Sequence, residues 1–271
     1  MVKLSKIFNQ LNQVNVLVVG DLMLDKYTSG SILRISPEAP VPVLKVEKKQ
    51  CLPGGSGNVI LNLLSLGANV VAMGRVGYDG AGKELIDSLK EHGASTDYIL
   101  EQEDYNTPLK NRLVASSQQI VRIDEENVDI IPEKIEARCI DALFSIIKDM
   151  QIIAISDYAK GFLSNSLISM IIQIANKLNI PVVVDPKGDD FSKYRDATII
   201  KPNLKEAYLA ANMPISASLE VVAKKLIEIT NVEMLIITMS EDGIALFDKN
   251  NQRYDFPVKS KEVKDVTGAG D

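Results

Sequence analysis

Seven residues, Asp265-Val266-Thr267-Gly268-Ala269-Gly270-Asp271, combine two requirements of a phosphoryl-transfer site. Glycines on either side of an alanine let backbone N–H groups approach an anion, and the carboxylate behind them could take a proton from an attacking hydroxyl. A Gly-rich turn ending in a helix N-cap would use the same residue types, so the segment needs support from the rest of the chain.

Four other places carry polar residues directly after an apolar strand pattern, where open α/β sheets bind their ligands. Gly20-Asp21-Leu22-Met23-Leu24-Asp25 offers two carboxylates four apart, suited to hydrogen bonds with vicinal sugar hydroxyls. Pro53-Gly54-Gly55-Ser56-Gly57-Asn58 is a glycine run opening a helix, so bare amides and the Asn58 amide could meet a polar ligand. Asp185-Pro186-Lys187-Gly188 puts a lysine where it could pair with a phosphate, and Asn203-Leu204-Lys205-Glu206 is an Asn-x-x-Glu at a helix start. Each alone is also a cap or turn signature.

Other chemistries are removed. His92 is the only histidine and sits before Gly93 at a helix end, the position of a C-terminal cap, so there is no Ser-His-Asp machinery and no histidine-based zinc site. Gly77-Tyr78-Asp79-Gly80-Ala81-Gly82-Lys83 fits a P-loop pattern, but Glu84 follows where a magnesium-binding Ser or Thr is needed. With 46% hydrophobic and 24% charged residues, the 271-residue chain is expected to fold into a globular protein. A net charge of −6, without basic patches interleaved with aromatics, argues against nucleic acid. Cys51 and Cys139 lie far apart, no stretch approaches 18 apolar residues, and the first residues lack a long apolar run; a cytoplasmic protein with no membrane contact is expected.

The elements that must position these residues alternate in period. Apolar strands are predicted at 14–20, 70–74, 152–156, 181–185 and 234–238, with helices at 58–66, 83–91, 132–149, 167–178 and 219–230. Near-continuous apolar strands between helices predict a doubly wound α/β fold, a mostly parallel sheet covered by helices on both faces. Residues 26–52, with Pro37, Pro40 and Pro42, and residues 107–124 alternate with period two instead, and predict a small β-sheet lid inserted in one domain.

Gly-Gly before the first helix, Asn-x-x-Glu midway and Gly-Ala-Gly-Asp at 268–271 resemble, in that order, the ribokinase-like (PfkB) carbohydrate kinases. Longer runs sharpen the likeness toward the D-glycero-β-D-manno-heptose 7-phosphate kinases of lipopolysaccharide heptose biosynthesis. These are Val18 to Asp25, Arg34 to Val43, Ser156 to Gly161, Asp185 to Gly188 and Asp265 to Asp271. The resemblance implies ATP-dependent phosphorylation of a sugar phosphate at its anomeric hydroxyl, with a hexose phosphate as the alternative acceptor.

Position by position, it implies Asp271 as the base and the amides of Gly268, Ala269 and Gly270 as the anion hole. Asp21, Asp25, Gly54, Gly55 and Asn58 would bind sugar hydroxyls, with Arg34, Arg112 and Arg122 supplied by the lid and Lys160 and Lys187 meeting the sugar's own phosphate. Asn203 and Glu206 would hold Mg²⁺ through water, while Thr238, Gly243, Asp265, Thr267, Gly268 and Gly270 would border the nucleotide. A monovalent cation is a further candidate, and a homodimer through the lid is implied. Ser240 stands where the family more often has glycine. Family members continue past the aspartate into a helix completing the anion hole, so a chain ending at Asp271 is expected to be truncated, which raises a non-catalytic sugar-phosphate binder as the other class of function.

Overall fold

The computed structural model describes residues 14–116 and 118–258. The main sheet has nine strands. In chain order they are β1 (Asn15–Gly20), β4 (Asn69–Gly77), β5 (Ser95–Gln102), β8 (Ile152–Ser156), β9 (Val182–Asp185), β10 (Ile199–Ile200), β11 (Met234–Thr238), β12 (Ile244–Asp248) and β13 (Arg253–Phe256). Their spatial order is β13-β12-β11-β10-β9-β8-β1-β4-β5, parallel from β11 to β5 and antiparallel at the β12–β13 edge. The doubly wound α/β reading of the sequence holds.

A second sheet of order β3-β2-β6-β7 is built from β2 (Leu22–Ile35), β3 (Pro42–Gly55), β6 (Leu109–Ala115) and β7 (Gln118–Glu125). It pairs antiparallel within β2–β3 and β6–β7 and parallel across β2–β6. These are the two segments singled out by period-two alternation, although β2 begins before residue 26 and β3 runs past residue 52 to Gly55. Pro37 and Pro40 fall in the turn between β2 and β3, where the Ser36 N–H donates to the Val41 carbonyl at 2.9 Å.

Helices α3 (Glu133–Ile146), α4 (Asn165–Lys177), α5 (Leu204–Ala210) and α6 (Leu219–Thr230) bury one face of the main sheet, with Ile153, Ile155, Val182, Val184, Leu235 and Ile237 in that core. Helices α1 (Ser56–Ser65) and α2 (Gly80–Glu91) cover the opposite face over β1, β4 and β5, around Val16, Val18, Ala72, Leu85 and Leu89. Beyond them, the expectation of full cover on both faces is met only in part by the described residues. Ile152, Ala154, Val183, Met234 and Ile236 are half-buried, and an apolar groove runs between α1 and β8.

Helix ends follow local chemistry. Ser164 caps α4 by accepting from the Leu167 N–H at 3.0 Å, and His92 ends α2 with Nδ1 2.7 Å from the Ser88 carbonyl, the capping role read from its position. Burial raises both thiols, Cys51 to about 11 and Cys139 to about 12, which keeps them protonated. No described helix is long and apolar enough to cross a membrane.

Candidate active site

Parallel strands share a direction, so their carboxyl ends share one edge of the sheet. Register then decides which side chains meet: Gly20 lies beside Ser156, and Ser156 beside Asp185. At this edge a cleft of about 160 Å³ is lined by Asp157, Tyr158, Asp185, Pro186, Lys187, Lys201, Asn203, Glu206 and Thr238. Four residues selected from sequence, Lys187, Asn203, Glu206 and Thr238, therefore come together.

Lys187 Nζ reaches Glu206 Oε1 at 2.7 Å, and Lys201 Nζ reaches Asp185 Oδ1 at 3.1 Å. Asn203 and Glu206 form a capping box: Asn203 Oδ1 accepts from the Glu206 N–H at 2.9 Å, and Glu206 Oε2 accepts from the Asn203 N–H at 3.0 Å. The Glu206 carboxylate thus anchors α5 and also lines the cleft.

Gly243 adopts φ 90°, and a Cβ there would lie 2.2 Å from the Phe256 carbonyl oxygen, so its immediate role is to let the end of β13 lie against the β11–β12 turn. Ser240, in the same turn, has φ 51°. A left-handed backbone at that residue accounts physically for the glycine preferred there by the family the sequence resembles.

The other grouping lies where the small sheet meets the main one. Asp25 pairs with Arg112, whose guanidinium stands 5.3 Å from the Tyr27 ring centroid. A Cβ on Gly54 would sit 2.4 Å from Asp25 Oδ2, so the glycine is what lets backbone and carboxylate approach. Gly55, at φ 56°, precedes α1, and Asn58 is half-buried in the first turn of that helix. Arg122 faces Arg112 across β6–β7 and is held by Asp124 through contacts of 2.7 and 2.9 Å. Arg34 is exposed near the far end of β2, away from this grouping.

Two sequence pairings differ in their partners. Asp21 is 2% exposed and its carboxylate is engaged by backbone amides: Oδ2 accepts from the Tyr158 and Lys160 N–H groups at 2.8 and 3.1 Å, and Oδ1 from Phe162 at 3.2 Å. Burial raises its carboxyl above the usual range, opposed by those amides and reinforced by the Asp157 charge. Lys160 and Lys187 have different partners: Lys160 Nζ is bound to Glu126 Oε1 at 2.8 Å, and Lys187 Nζ to Glu206 Oε1 at 2.7 Å. Asp265, Thr267, Gly268, Ala269, Gly270 and Asp271 lie outside the described residues.

The pfkB family carbohydrate kinase profile matches residues 13–271. The chain belongs to the pfkB family of carbohydrate kinases. Among curated proteins, bifunctional protein HldE of Campylobacter curvus is 44% identical over 261 residues, covering 96% of this chain and 55% of that protein. HldE of Campylobacter concisus is 46% identical, covering 96% and 54%. The chain spans about half the length of the curated relatives it matches. Among solved structures, Arabidopsis thaliana ribokinase complexed with ribose and ATP aligns with a TM-score of 0.70 at 20% identity, covering 95% of this chain and 82% of that one. Escherichia coli phosphofructokinase-2 in complex with fructose-6-phosphate aligns with a TM-score of 0.72 at 18% identity, covering 92% and 82%. These likenesses carry the fold.

Several residues in and around this cleft escaped selection from sequence. Asp157 and Asp185 immediately follow or end apolar strands, and Lys201 follows β10, so the rule that found Lys187 could have found them. Asp157 accepts from Lys193 Nζ at 2.7 Å and from the Tyr194 hydroxyl at 2.6 Å. Burial, then the Asp157 charge, pushes the Tyr194 phenol far above its ordinary range and fixes it as a donor. Arg75 is buried inside an apolar strand. The P-loop look-alike is a structural turn: Asp79 caps α2 by accepting from the Gly82 N–H at 2.7 Å and also takes the Thr107 N–H at 2.8 Å. A carboxylate already fills that helix start.

Proposed function

We propose that the protein phosphorylates the anomeric hydroxyl of D-glycero-β-D-manno-heptose 7-phosphate with ATP, giving the 1,7-bisphosphate in lipopolysaccharide heptose biosynthesis. The observation that carries a kinase reading is the gathering of Lys187, Asn203, Glu206 and Thr238 in one cleft at the strand ends. Support for a heptose acceptor comes from the long sequence runs, above all Arg34 to Val43, and from the likeness, over 96% of this chain, to proteins named HldE.

In this reading the nucleotide occupies the cleft, bordered by Thr238, Gly243, Asp265 and Thr267, with Lys187 at its phosphates. The acceptor lies against Asp25, Gly54, Gly55, Asn58 and Arg112, with the small sheet as a lid; Lys160, on the loop beside Asp21, stands on its phosphate side. Holding hydroxyl and γ-phosphate in line removes most of the entropic cost, and little covalent chemistry is left to the protein. Asp271 takes the hydroxyl proton as the bond to phosphorus forms, and the amides of Gly268 to Gly270 stabilise the charge on the transferred group.

Asn203 and Glu206 fit a hydrated magnesium ion better than a naked one. Glu206 presents a carboxylate to the cleft, while no group of three or more acidic, histidine or cysteine side chains suited to direct coordination exists among the described residues. When bound with the nucleotide, magnesium would neutralise phosphate charge. The small sheet turns half-exposed Val121 and Ile123 away from the Arg112–Arg122 face, which supports a homodimer through that surface. A cytoplasmic location suits these soluble, charged substrates.

The test is Asp271→Asn on the full chain. Turnover should fall by about 10² to 10⁴ while acceptor binding by calorimetry is retained. Near-normal turnover would remove the base assignment, and acceptor binding without turnover in the unsubstituted chain would favour a non-catalytic binder.

A further inference from the structure

We infer that Arg75 is a positioning residue that fixes the small sheet over the acceptor site by clamping both of its long connectors to the loop after β8. The inference rests on the proposed use of that sheet in acceptor binding. Arg75 lies inside β4, whose neighbours are apolar, and is 1% exposed. Among the described residues it makes no ion pair. Its charge is met by neutral groups: Nη2 donates to the Asp129 carbonyl and, at 3.1 Å, to the Lys160 carbonyl, Nη1 donates to Gln102 Oε1 at 3.2 Å, and the guanidinium lies 4.0 Å from the Tyr105 ring centroid. Nε has no partner.

The identity of these partners is informative. The chain passes between the two sheets at 20–22 and 55–56, and through two longer connectors, 103–108 before β6 and 126–132 after β7. Arg75 touches the first at Tyr105, with Gln102 at its root, and the second at Asp129. Through Lys160 it also grips the loop whose opposite, N–H side is held by Asp21. One buried cation and one buried anion therefore hold the carbonyl and amide sides of the same loop. Further bonds lie along these lines: Ile131 N–H to the Gly161 carbonyl at 2.8 Å, and Lys160 to Glu126. Gly161 has φ 87°, and a Cβ there would stand 2.1 Å from the Asp129 carbonyl oxygen and 3.2 Å from Arg75 Nη2, so the clamp closes only on glycine.

A buried guanidinium without a counter-charge is expensive, and an aliphatic side chain would fill a strand interior more cheaply. Several fixed donors in one plane are what it adds, and lysine cannot reproduce them. Asp25 and Arg112, on β2 and β6, then take their place relative to the nucleotide cleft from connectors that Arg75 fixes.

The experiment compares Arg75→Met, Arg75→Lys, Gly161→Ala and Gln102→Leu with the unsubstituted full chain by hydrogen exchange and steady-state kinetics. Exchange in 103–108 and 126–132 should rise about tenfold or more in Arg75→Met, with β8 and β11 unchanged. The acceptor KM should rise about tenfold with the ATP KM within about twofold, and Arg75→Lys should not restore either. Unchanged connector exchange, faster exchange throughout the main sheet, equal effects on both KM values, or full restoration by lysine would overturn the inference. If Arg75→Met does not fold, Gly161→Ala and the milder Gln102→Leu are judged by the same outcomes. Exchange requires no substrate, so turnover with no sugar phosphate would count against the proposed function while exchange still decides the clamp.

Discussion

Two polar regions lie at the same sheet edge and differ in what their side chains have left to give. Around Asp21 and Arg75 the groups are 1–2% exposed and spent on protein partners, backbone amides on one and carbonyls on the other. In the cleft, Lys187 and Glu206 pair at 48% and 14% side-chain exposure, and Lys201 and Asp185 at 25% and 26%. Pairs this accessible contribute about 0–1 kcal/mol and exchange readily for a ligand. Strand-end position selects Asp21 and the cleft residues alike; burial separates groups committed to protein partners from those still accessible to a ligand.

The strongest way to break that contrast is Asp21→Ala. It would orphan one buried and two partly buried N–H groups, a buried one costing about 1–3 kcal/mol against a total stability of roughly 5–15 kcal/mol. A fall in Tm of roughly 10 °C or more, or failure to fold, is expected in thermal melts. A Tm within a few degrees of the unsubstituted protein would move Asp21 to the binding side of the comparison. Glu206→Gln probes the open region, where activity should fall about 10- to 100-fold through nucleotide and metal binding while Tm shifts by less than about 4 °C. A larger melting shift would make Glu206 chiefly a helix anchor. Asp25→Asn should raise the acceptor KM by about tenfold and spare the ATP KM, as measured by initial rates. The smallest effect is expected for Ser240→Gly: relief of the left-handed backbone at the cleft margin should raise Tm by about 2–4 °C without altering either KM.

This contrast also marks what was legible in the sequence. Apolar strands alternating with helical segments conveyed the doubly wound sheet, and polar residues after strands conveyed Lys187, Asn203, Glu206 and Thr238. Burial could not be read from spacing. Asp21 and Asp25 are four apart in a pattern that fits two sugar ligands, yet three amides from residues 158–162 claim the first. Ion pairing is equally non-local: Lys160 meets Glu126, 34 positions away, and Lys187 meets Glu206, 19 away, so neither partner had a local signal. Arg75 did leave a trace, a cation inside an apolar strand, whose meaning required knowing which carbonyls surround it. The half-buried side of β8, β9 and β11 reads in sequence as fully apolar, because composition reports what a strand can bury and not what covers it.

The most direct test of the central claim is to incubate the full chain with ATP and magnesium and either D-glycero-β-D-manno-heptose 7-phosphate or fructose 6-phosphate, and to identify the product by ³¹P NMR. The account predicts a new phosphate on the anomeric carbon of the heptose and slower or absent turnover of the hexose phosphate. Phosphorylation at any other heptose position, or a clear preference for the hexose phosphate, would contradict it.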